Sequence, residues 1–580
     1  MSKARTNLPE RLLEYTSTQD YSLYSNIDQA VWRYVMKISI PFFKKNAPKS
    51  YIEGIEKVGI PTDRIPKIND MDKKLDDFGW GAISVKGFIP PIIFMEFLAR
   101  KVLPIAVDIR TSNHITYTPA PDIIHEAAGH APIIANENYA EYLRCYGEVA
   151  KKAIESKSDA KQYEVVRDLS VSKENPNINP KILKKIECEF ETISNQKTWL
   201  SEASELARMN WWTIEYGLIG DLTNPKIYGA GLLSSVSESV SCLKNNVKKI
   251  PISLECIKQD YNITKPQPQL FVTNSFNNLK IILNDYSRTM AYAIGGKPAV
   301  EKAILSENTT TTVFDSGLQV SGVLNKCIYN KKNEPSYLNS LGRTQLCYNN
   351  SEIDGHGTKT HSSGYGAALG NVIPLNKSLY ELSDEELKTI NVEPEKHSTI
   401  KFYNGLVVSG TINNIIKFEG KPILITLDNA SARLEDNVLF KPAWGQYDLA
   451  CGNKVISIYG GPADWNNYQN LELTKKDISY HSSNLTEDTE YLNKLYGKVE
   501  KLRNEKAASE DYITILKIVY KEYDKEWLLC MIIYEIIYKD QSIRNEVQFL
   551  KNHLITFKSD LQLKNAIERG LELIEEDLSL

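Results

Sequence analysis

Two histidines with a glutamate beside the first mark the stretch of the chain best suited to metal chemistry. Residues 117–130 read Tyr-Thr-Pro-Ala-Pro-Asp-Ile-Ile-His-Glu-Ala-Ala-Gly-His, so His125 and His130 stand five positions apart and Glu126 follows the first. The chain has 8 histidines in 580 residues, so two this close together favour a metal site.

The five-residue spacing does not suit a regular α-helix. Such a helix turns about 100° per residue, so side chains five positions apart point about 140° away from each other. His125 and His130 can converge if the helix ends or kinks near Gly129, since glycine tolerates the backbone angles required. Asp122, directly after Pro121, is well placed to cap this helix. Two half-buried histidines at a helix end are the alternative interpretation.

A third ligand is needed, and Glu215 is the best candidate. It interrupts the apolar and aromatic segment Asn210-Trp-Trp-Thr-Ile-Glu-Tyr-Gly-Leu218, where an unpaired charge would be costly. A surface glutamate on an amphipathic helix is the alternative. Two imidazoles and one carboxylate that leave positions open are typical of non-haem iron(II) sites for oxygen chemistry, and the same set can hold catalytic zinc.

The elements that must position these residues are predicted from apolar periodicity. Apolar residues at steps of three and four indicate amphipathic helices, and short apolar runs bounded by turn residues indicate strands. We expect helices over residues 27–45, 92–103, 139–149, 200–218 and 276–286, and extended segments over residues 80–87 and 269–272.

Composition divides the chain into three parts, which together predict an α+β multidomain protein. Residues 1–315 form the mainly helical domain that carries the histidines, with 151–196 as a charged surface insertion of two helices. Residues 316–480 alternate short apolar segments with Gly, Asn and Asp turns, which is typical of a β-rich domain. Residues 481–580 are predicted to be helical and to serve packing or contact between copies in a homo-oligomer.

Charge and composition exclude several classes of partner. The net charge of −4, from 69 basic and 73 acidic residues, gives no electrostatic basis for binding nucleic acid or an acidic membrane. The longest apolar run, residues 527–533, is shorter than the roughly 20 residues of a membrane helix. Neither a signal peptide nor a C-x-x-C pair is evident, so we expect a reduced, cytoplasmic setting.

Three motifs in order give the first half of the chain a resemblance to a known family. Tyr117–His130, Trp211–Leu218 and Tyr228–Ser235 (YGAGLLSS) together resemble the pterin-dependent aromatic amino acid hydroxylases. A weaker likeness extends from about residue 21 to residue 292. The resemblance implies a helical catalytic domain that uses Fe(II), O2 and a tetrahydropterin, either tetrahydrobiopterin or a related bacterial pterin.

The resemblance also implies a role for each residue of the site. The iron ligands would be His125, His130 and Glu215, and Arg110 would pair bidentately with the substrate carboxylate. Glu126 would hydrogen-bond near the pterin and the iron. The amino acid pocket would be lined by Thr118, Pro121, Trp211 and Ser234; the pterin would stack on Phe94 and contact Val85, Gly87 and Ile89; and Asp122 and Glu238 would lie behind these groups. Considered one at a time, without the resemblance, several of these residues have non-catalytic interpretations. Arg110 could form a surface ion pair, and Phe94 could pack in the core.

The implied reaction is hydroxylation of the ring of a free aromatic amino acid. Phenylalanine is favoured, because Ile263 stands where tyrosine hydroxylases carry an aspartate, and an apolar pocket has little reason to prefer a phenol. Tyrosine and tryptophan remain alternatives, as do a zinc hydrolase and an inactive relative that acts as a scaffold. Asn210 departs from the family, which usually has a tyrosine there.

A second histidine pair lies in the β-rich part. His356 and His361, in Asp354-Gly-His-Gly-Thr-Lys-Thr-His361, could bind a metal, but we interpret the segment as a solvated loop.

Overall fold

The computed structural model describes residues 1–116, 121–174, 178–195, 199–263, 265–468, 487–560 and 563–576. Thr118 therefore lies outside the described residues. Within them, no helix is both long enough and apolar enough to span a membrane.

The first half of the described chain is mainly helical, with small sheets between the helices. The α-helices are α1 (Lys3–Thr6), α2 (Glu10–Leu13), α3 (Asn26–Asn46), α4 (Lys49–Lys57), α5 (Ile68–Leu75), α6 (Pro91–Ala99), α7 (Glu137–Ala150), α8 (Lys157–Glu174), α9 (Pro180–Asn195), α10 (Glu202–Asn210), α11 (Ala230–Leu233), α12 (Glu238–Ser241), α13 (Phe276–Ser287), α14 (Ala291–Ile294) and α15 (Gly296–Ser306). The strands are β1 (Gly81–Val85), β2 (Val102–Ala106), β3 (Leu218–Ile219), β4 (Lys226–Ile227), β5 (Lys248–Pro251) and β6 (Gln269–Thr273).

The predicted elements of this half are largely confirmed. The helices expected over residues 27–45, 139–149 and 276–286 are α3, α7 and α13, and the extended segments are β1 and β6. A capping box, in which Ser25 and Asp28 bond reciprocally to backbone N–H groups, starts α3. The insertion forms the two helices expected of it, α8 and α9.

The helix expected over residues 92–103 was predicted wrongly at its C-terminal end. α6 stops at Ala99, and Lys101 turns the chain with a φ of 60°. Residues 102–106 then form β2, which pairs in parallel with β1 so that Val85 lies opposite Ala106. Periodicity could not reveal this, because a short buried apolar run suits a strand as well as a helix.

The part after residue 306 is β-rich, as expected. Its elements are β7 (Thr309–Phe314), β8 (Leu318–Tyr329), β9 (Pro335–Tyr348), β10 (Ser351–Glu352), β11 (Gly364–Ala368), β12 (Asn371–Val372), β13 (Lys377–Ser378), α16 (Asp384–Thr389), β14 (His397–Lys401), β15 (Leu406–Phe418), β16 (Lys421–Leu434), β17 (Asn437–Phe440), β18 (Tyr447–Ala450) and β19 (Val455–Gly460).

Two antiparallel sheets dominate this β-rich part. One has the order β10-β9-β8-β7-β19, with β11 paired to β9. The other has the order β14-β15-β16-β17, with β18 paired to β16. Residues of both sheets contribute to two buried apolar clusters, distinct from the large cluster of the helical half. The boundaries at residues 315 and 480 stay predictions.

The C-terminal helices pack back onto the first half of the chain. They are α17 (Glu487–Glu505), α18 (Ser509–Glu522), α19 (Trp527–Ile537), α20 (Arg544–Thr556) and α21 (Lys564–Glu575), and their buried side chains belong to the same apolar cluster as α3. Tyr34 Oη donates to the carbonyl of Ala566 (2.8 Å), and Arg569 donates to the carbonyls of Ile38 (2.6 Å) and Val236 (3.2 Å). Packing within the chain is therefore one role of these helices, and the homo-oligomer contact stays a prediction.

Candidate active site

Both histidines lie on a π-helix that runs from Ile124 to His130. A π-helix bonds each residue to the one five positions away, so side chains at this spacing lie one above the other. The backbone N–H of Ala131 donates to the carbonyl of Glu126 at 3.2 Å, which is such a bond. The kink or helix end expected near Gly129 was therefore the wrong explanation. The helix has more residues per turn than an α-helix, so two side chains five positions apart lie on the same face.

The third candidate ligand also lies on a π-helical turn, Trp211–Glu215, at the end of α10. Here the N–H of Tyr216 donates to the carbonyl of Trp211 at 2.8 Å. The helix predicted as far as Leu218 thus changes its winding at residue 211 and gives way to β3. Single π-turns inside helices are frequent at functional sites.

The three predicted ligands converge. His130 Nε2 lies 3.1 Å from His125 Nε2 and 3.4 Å from Glu215 Oε1, and His125 Nε2 lies 3.4 Å from Glu215 Oε2. Ligands that bind one ion at about 2.1 Å are themselves about 3.0–3.4 Å apart, so the spacing fits a single divalent metal ion. His130 is nearly fully buried, and His125 and Glu215 are largely buried. All three donors come from one side, which leaves coordination positions for other groups.

Ser234 fixes the tautomer of His125. Its hydroxyl donates to the carbonyl of Gly231 (3.3 Å) and so accepts from Nδ1–H of His125 (3.0 Å). The lone pair of His125 then lies on Nε2, the atom that faces the other two ligands. Ser234 was predicted to line the amino acid pocket, and its contact with the ligand ring is an additional finding.

Substituting Ser234 tests this arrangement. We expect Ser234→Ala to weaken metal binding by about 10–100-fold, since groups that orient a ligand histidine typically have that effect. The measurement is competition of the purified protein with a metal chelator of known affinity. Ser239→Ala is the matched control, because Ser239 Oγ is buried and bonds only locally, to the carbonyl of Val236 at 3.2 Å. Equal affinities of the two variants would contradict the orienting role.

Burial and mutual charge set the protonation of the site. Burial lowers the pKa of His125 to about 4, so its imidazole is neutral at neutral pH. Burial tends to raise the pKa of Glu215, but the two histidines outweigh it and hold that pKa at about 2. For His130 burial tends to lower the pKa, and the neighbouring carboxylates of Glu215 and Glu126 raise it overall. An ionised carboxylate between two imidazoles is suited to a cation.

Glu126 lies just beyond the ligands. Its Oε2 is 3.9 Å from His130 Nε2 and is buried without a hydrogen-bond partner among the described residues. Burial raises the pKa of the Glu126 carboxyl to about 8. A buried carboxylic acid with an unsatisfied oxygen is suited to hydrogen-bonding a bound molecule.

Arg110 and Asp122 form a buried bidentate ion pair. Nε and Nη2 of Arg110 each lie 2.8 Å from an oxygen of Asp122, and Nη1 donates to the carbonyl of Ser234 at 2.8 Å. Asp122 also accepts from the backbone N–H of His125 (2.9 Å), which confirms it as a cap of this helix. Two N–H groups of Arg110, one on each terminal nitrogen, have no partner among the described residues. The guanidinium can therefore still donate to a second carboxylate.

Trp211 is enclosed by two aromatic rings. It stacks on Tyr216 (ring centroids 4.3 Å apart) and on Tyr261 (4.4 Å), so both of its faces are covered by protein. Its indole N–H is buried and has no acceptor among the described residues. Any pocket role of Trp211 must therefore use the edge of the ring. Sequence reasoning missed Tyr216, inside the motif Trp211–Leu218, and Tyr261, two residues before Ile263.

The predicted pterin-side residues occupy the end of β1 and the loop into α6. Val85 is the last residue of β1, Gly87 follows in the loop with a φ of 63°, and Phe94 is half-buried on the first turn of α6. The N–H of Gly87 donates to Asp108 Oδ2 at 3.4 Å, two residues from Arg110. The loop is thereby tied to the segment that carries the arginine.

The charged insertion also touches this loop. Tyr163, on α8, donates its hydroxyl to the carbonyl of Ile89 at 2.8 Å. Pro121, predicted to line the amino acid pocket, is exposed and precedes Asp122. The structure thus brings His125, His130, Glu215, Glu126, Ser234 and Arg110 into one connected group, while the placement of Pro121 and the pterin-side residues around a ligand stays a prediction.

The burial of Glu238, a residue predicted to lie behind the candidate ligands, can be tested through the pH dependence of stability. Burial raises the pKa of Glu238 to about 7, and a hydrogen bond with Tyr216 only partly offsets the rise. Between about pH 4.5 and pH 7 the unfolded chain releases this proton while the folded chain keeps it, so the folded state loses stability as pH rises. Between these pH values we expect the free energy of unfolding of Glu238→Gln to decrease by about 1–3 kcal/mol less than that of the parent. Urea unfolding at pH 5 and pH 7.5 measures it; identical pH slopes for variant and parent would contradict the assignment.

Comparison with known proteins finds relatives of the first half of the chain. A family model described as biopterin-dependent aromatic amino acid hydroxylase matches residues 2–175 and 198–316, just over half of the chain. The two matched segments are separated by residues 176–197, nearly all of which belong to the predicted insertion. The match starts at residue 2, earlier than the likeness from about residue 21 that the motifs indicated.

Individual proteins similar to this chain are named phenylalanine-4-hydroxylases. The phenylalanine-4-hydroxylase of Mesorhizobium japonicum is 30% identical over 271 residues, which are 46% of this chain and 82% of the relative. That of Chromobacterium violaceum is 29% identical over 269 residues, 46% of this chain and 76% of the relative. The human phenylalanine-4-hydroxylase is 26% identical over 294 residues, 49% of this chain and 55% of the relative.

Solved structures of the C. violaceum enzyme also match. The one with bound iron(III) and oxidised cofactor 7,8-dihydrobiopterin is 26% identical, covers 49% of this chain and 89% of its own, and has a TM-score of 0.38. With the family model covering the helical half, including all three predicted ligands, the chain belongs to the biopterin-dependent aromatic amino acid hydroxylase family.

Proposed function

We propose that this enzyme hydroxylates free phenylalanine on its ring to give tyrosine, using non-haem Fe(II), O2 and a tetrahydropterin. The observation that carries the proposal is the convergence of His125, His130 and Glu215 within 4.8 Å of one another, a donor set suited to iron(II). The names of the bacterial and human relatives support the choice of phenylalanine.

The bound iron and pterin supply the activation of O2: one oxygen atom enters the ring, and the reduced pterin supplies the two electrons that reduce the other atom. The protein holds the ion through two imidazoles and one carboxylate and keeps the remaining positions open. Ser234 keeps the Nε2 lone pair of His125 on the ion. Glu126, whose Oε2 lies 3.9 Å from His130 Nε2 and has no hydrogen-bond partner among the described residues, is placed to hydrogen-bond a group bound next to the ion.

Arg110 positions the amino acid in this proposal. Asp122 and the carbonyl of Ser234 hold its guanidinium, and its two remaining N–H groups are available to the substrate carboxylate. Orientation of the substrate relative to the ion is worth several powers of ten in rate. Ile263 favours phenylalanine over tyrosine, since an apolar side chain offers no partner to a phenol hydroxyl.

Tyrosine and tryptophan hydroxylation are the alternative activities within the family. Membership of the family leaves no support for a zinc hydrolase, and the intact ligand set argues against an inactive scaffold. We further propose residues 1–315 as the catalytic domain, residues 316–480 as a β-rich domain and residues 481–580 as a helical segment packed on the first.

One assay separates these possibilities. The purified full chain, loaded with Fe(II), receives a tetrahydropterin, O2 and, separately, phenylalanine, tyrosine or tryptophan, and the products are identified by chromatography and mass spectrometry. We expect tyrosine from phenylalanine and little or no product from the other two. Preference for tyrosine or tryptophan would replace the proposed substrate, and no product from any iron-loaded sample would reject the activity.

A further inference from the structure

Outside the active site, a second group of two histidines and one aspartate comes together in the β-rich part. His356 Nδ1 lies 2.9 Å from Asp448 Oδ2, and His361 Nε2 lies 3.1 Å from the same oxygen. The residues are only 8%, 9% and 2% exposed for His356, His361 and Asp448. The prediction of a solvated loop for the two histidines was therefore wrong. Asp448, which follows 87 residues after His361, was not visible as their partner from the sequence.

Hydrogen bonding among the described residues leaves this group incomplete. His361 Nε2 and Asp448 Oδ1 are both buried without a hydrogen-bond partner in the described part of the chain. His361 Nε2 is close to Asp448 Oδ2, but its N–H direction does not point at that oxygen. His356 Nδ1 does form a hydrogen bond with Asp448 Oδ2 (2.9 Å), a contact that a bound ion would replace. Unsatisfied buried polar atoms are costly, so an occupant that satisfies both is expected.

The donor atoms lie close enough together to share one metal ion. The separations of 2.9 and 3.1 Å are close to those in the active site, where the ligand atoms lie 3.1 to 3.4 Å apart. Adjacent ligands of an ion bound at about 2.1 Å stand about 3.0 Å apart in octahedral geometry. One atom each of His356, His361 and Asp448 lies within 4.8 Å of the others.

The backbone that carries the three side chains is anchored by hydrogen bonds. The carbonyl of His356 accepts from the N–H of Leu346 (2.9 Å), and that of His361 accepts from the N–H of Thr344 (3.0 Å), so both ends of the loop are fastened to β9. Asp448 lies on β18, in the other sheet, and its carbonyl accepts from Tyr365 Oη at 2.9 Å. The ring of Tyr365 also meets that of His361 edge-on, with centroids 5.3 Å apart.

We propose that His356 Nδ1, His361 Nε2 and the Asp448 carboxylate bind a second divalent ion of the first transition series, zinc or iron(II). Imidazole nitrogens and a carboxylate suit both ions. The ion would neutralise the buried carboxylate and join the loop on β9 to β18, so that it links the two sheets. The proposal does not depend on the hydroxylase activity, because none of its residues lies in the active site.

The test counts metal ions in the full chain. Glu215→Ala serves as the host, since it removes the first site and leaves the second to be measured alone. The host is stripped with a chelator, then incubated with Zn²⁺, or with Fe²⁺ under anaerobic conditions, and bound metal is measured by mass spectrometry after gel filtration. We expect about one equivalent of at least one of the two ions, and less than about 0.1 equivalent when Asp448→Asn or His361→Gln is added.

Asp464→Asn in the same host is the control, because Asp464 is another buried acid of this part, 8% exposed, that accepts from the backbone N–H of Glu352. It is expected to keep the full equivalent. Retention of neither ion by the host, or equal retention after Asp448→Asn, would overturn the proposal. If the double variants fail to fold, the parent chain still decides: two equivalents of metal support the second site, and one equivalent overturns it.

Discussion

Glu215→Ala is expected to lose iron and hydroxylase activity together. The carboxylate is one of three donors and lies 3.4 Å from each histidine nitrogen, so its removal leaves two neutral imidazoles and no anionic ligand. We expect kcat/KM to fall by at least about 10³-fold, equivalent to about 4 kcal/mol of transition-state stabilisation. Iron content of the purified variant and initial rates with phenylalanine measure the two losses.

Glu205→Gln is the matched control for this variant. Glu205 lies ten residues earlier, on α10, and accepts from Tyr286 Oη at 2.7 Å, a bond that glutamine can also accept. It should retain iron and most of the activity. A Glu215→Ala protein that is active and iron-loaded would mean that the third ligand has been assigned wrongly.

Arg110→Lys is expected to weaken the binding of phenylalanine while the iron stays bound. Lysine keeps one positive charge beside Asp122 but lacks the planar fork that holds Asp122 and offers a second edge to the substrate. A lost charge-assisted pair of hydrogen bonds costs about 1.5–3 kcal/mol, which corresponds to about a 10–200-fold rise in KM or Kd. Calorimetric titration of the iron-loaded variant with phenylalanine measures the change in affinity.

The amide of phenylalanine tells binding of the carboxylate apart from a general disturbance. It keeps the ring and the amino group but carries no negative charge. If Arg110 holds the substrate carboxylate, Arg110→Lys should lower the affinity for the amide by less than about threefold. The amide forms no ion pair with Arg110 in the parent and therefore has none to lose in the variant. Equal losses for the acid and the amide would show that Arg110 acts through Asp122 and the fold alone.

The ligand set was accessible from the residues themselves. A histidine pair with a carboxylate beside it and a second carboxylate inside an apolar segment are unusual enough to be recognised without coordinates. Amphipathic periodicity likewise located α3, α7 and α13, since a surface helix must turn one apolar face to the core. These features depend on residues close together in the chain, so they can be recognised from the sequence.

The winding of the helices was not accessible in the same way. His125 and His130 share a face only because residues 124–130 form a π-helix, and Glu215 ends a π-turn of its own. An α-helix and a π-helix draw on the same residue types, and the choice between them depends on the surrounding packing. The kink expected at Gly129 would also bring the two histidines together, but the folded chain does so with a π-helix.

Long-range partners depended entirely on the folded chain. Ser234 reaches His125 across 109 residues, Asp448 meets His356 across 92, and Ala566 accepts from Tyr34 across 532. Propensity and periodicity carry no information about which distant segments meet, because that is decided by how whole elements pack around a common core. The histidines and carboxylates could therefore be proposed as ligands from the printed sequence, while the groups that contact them, and the burial of the second cluster, followed only from the packing of helices and sheets.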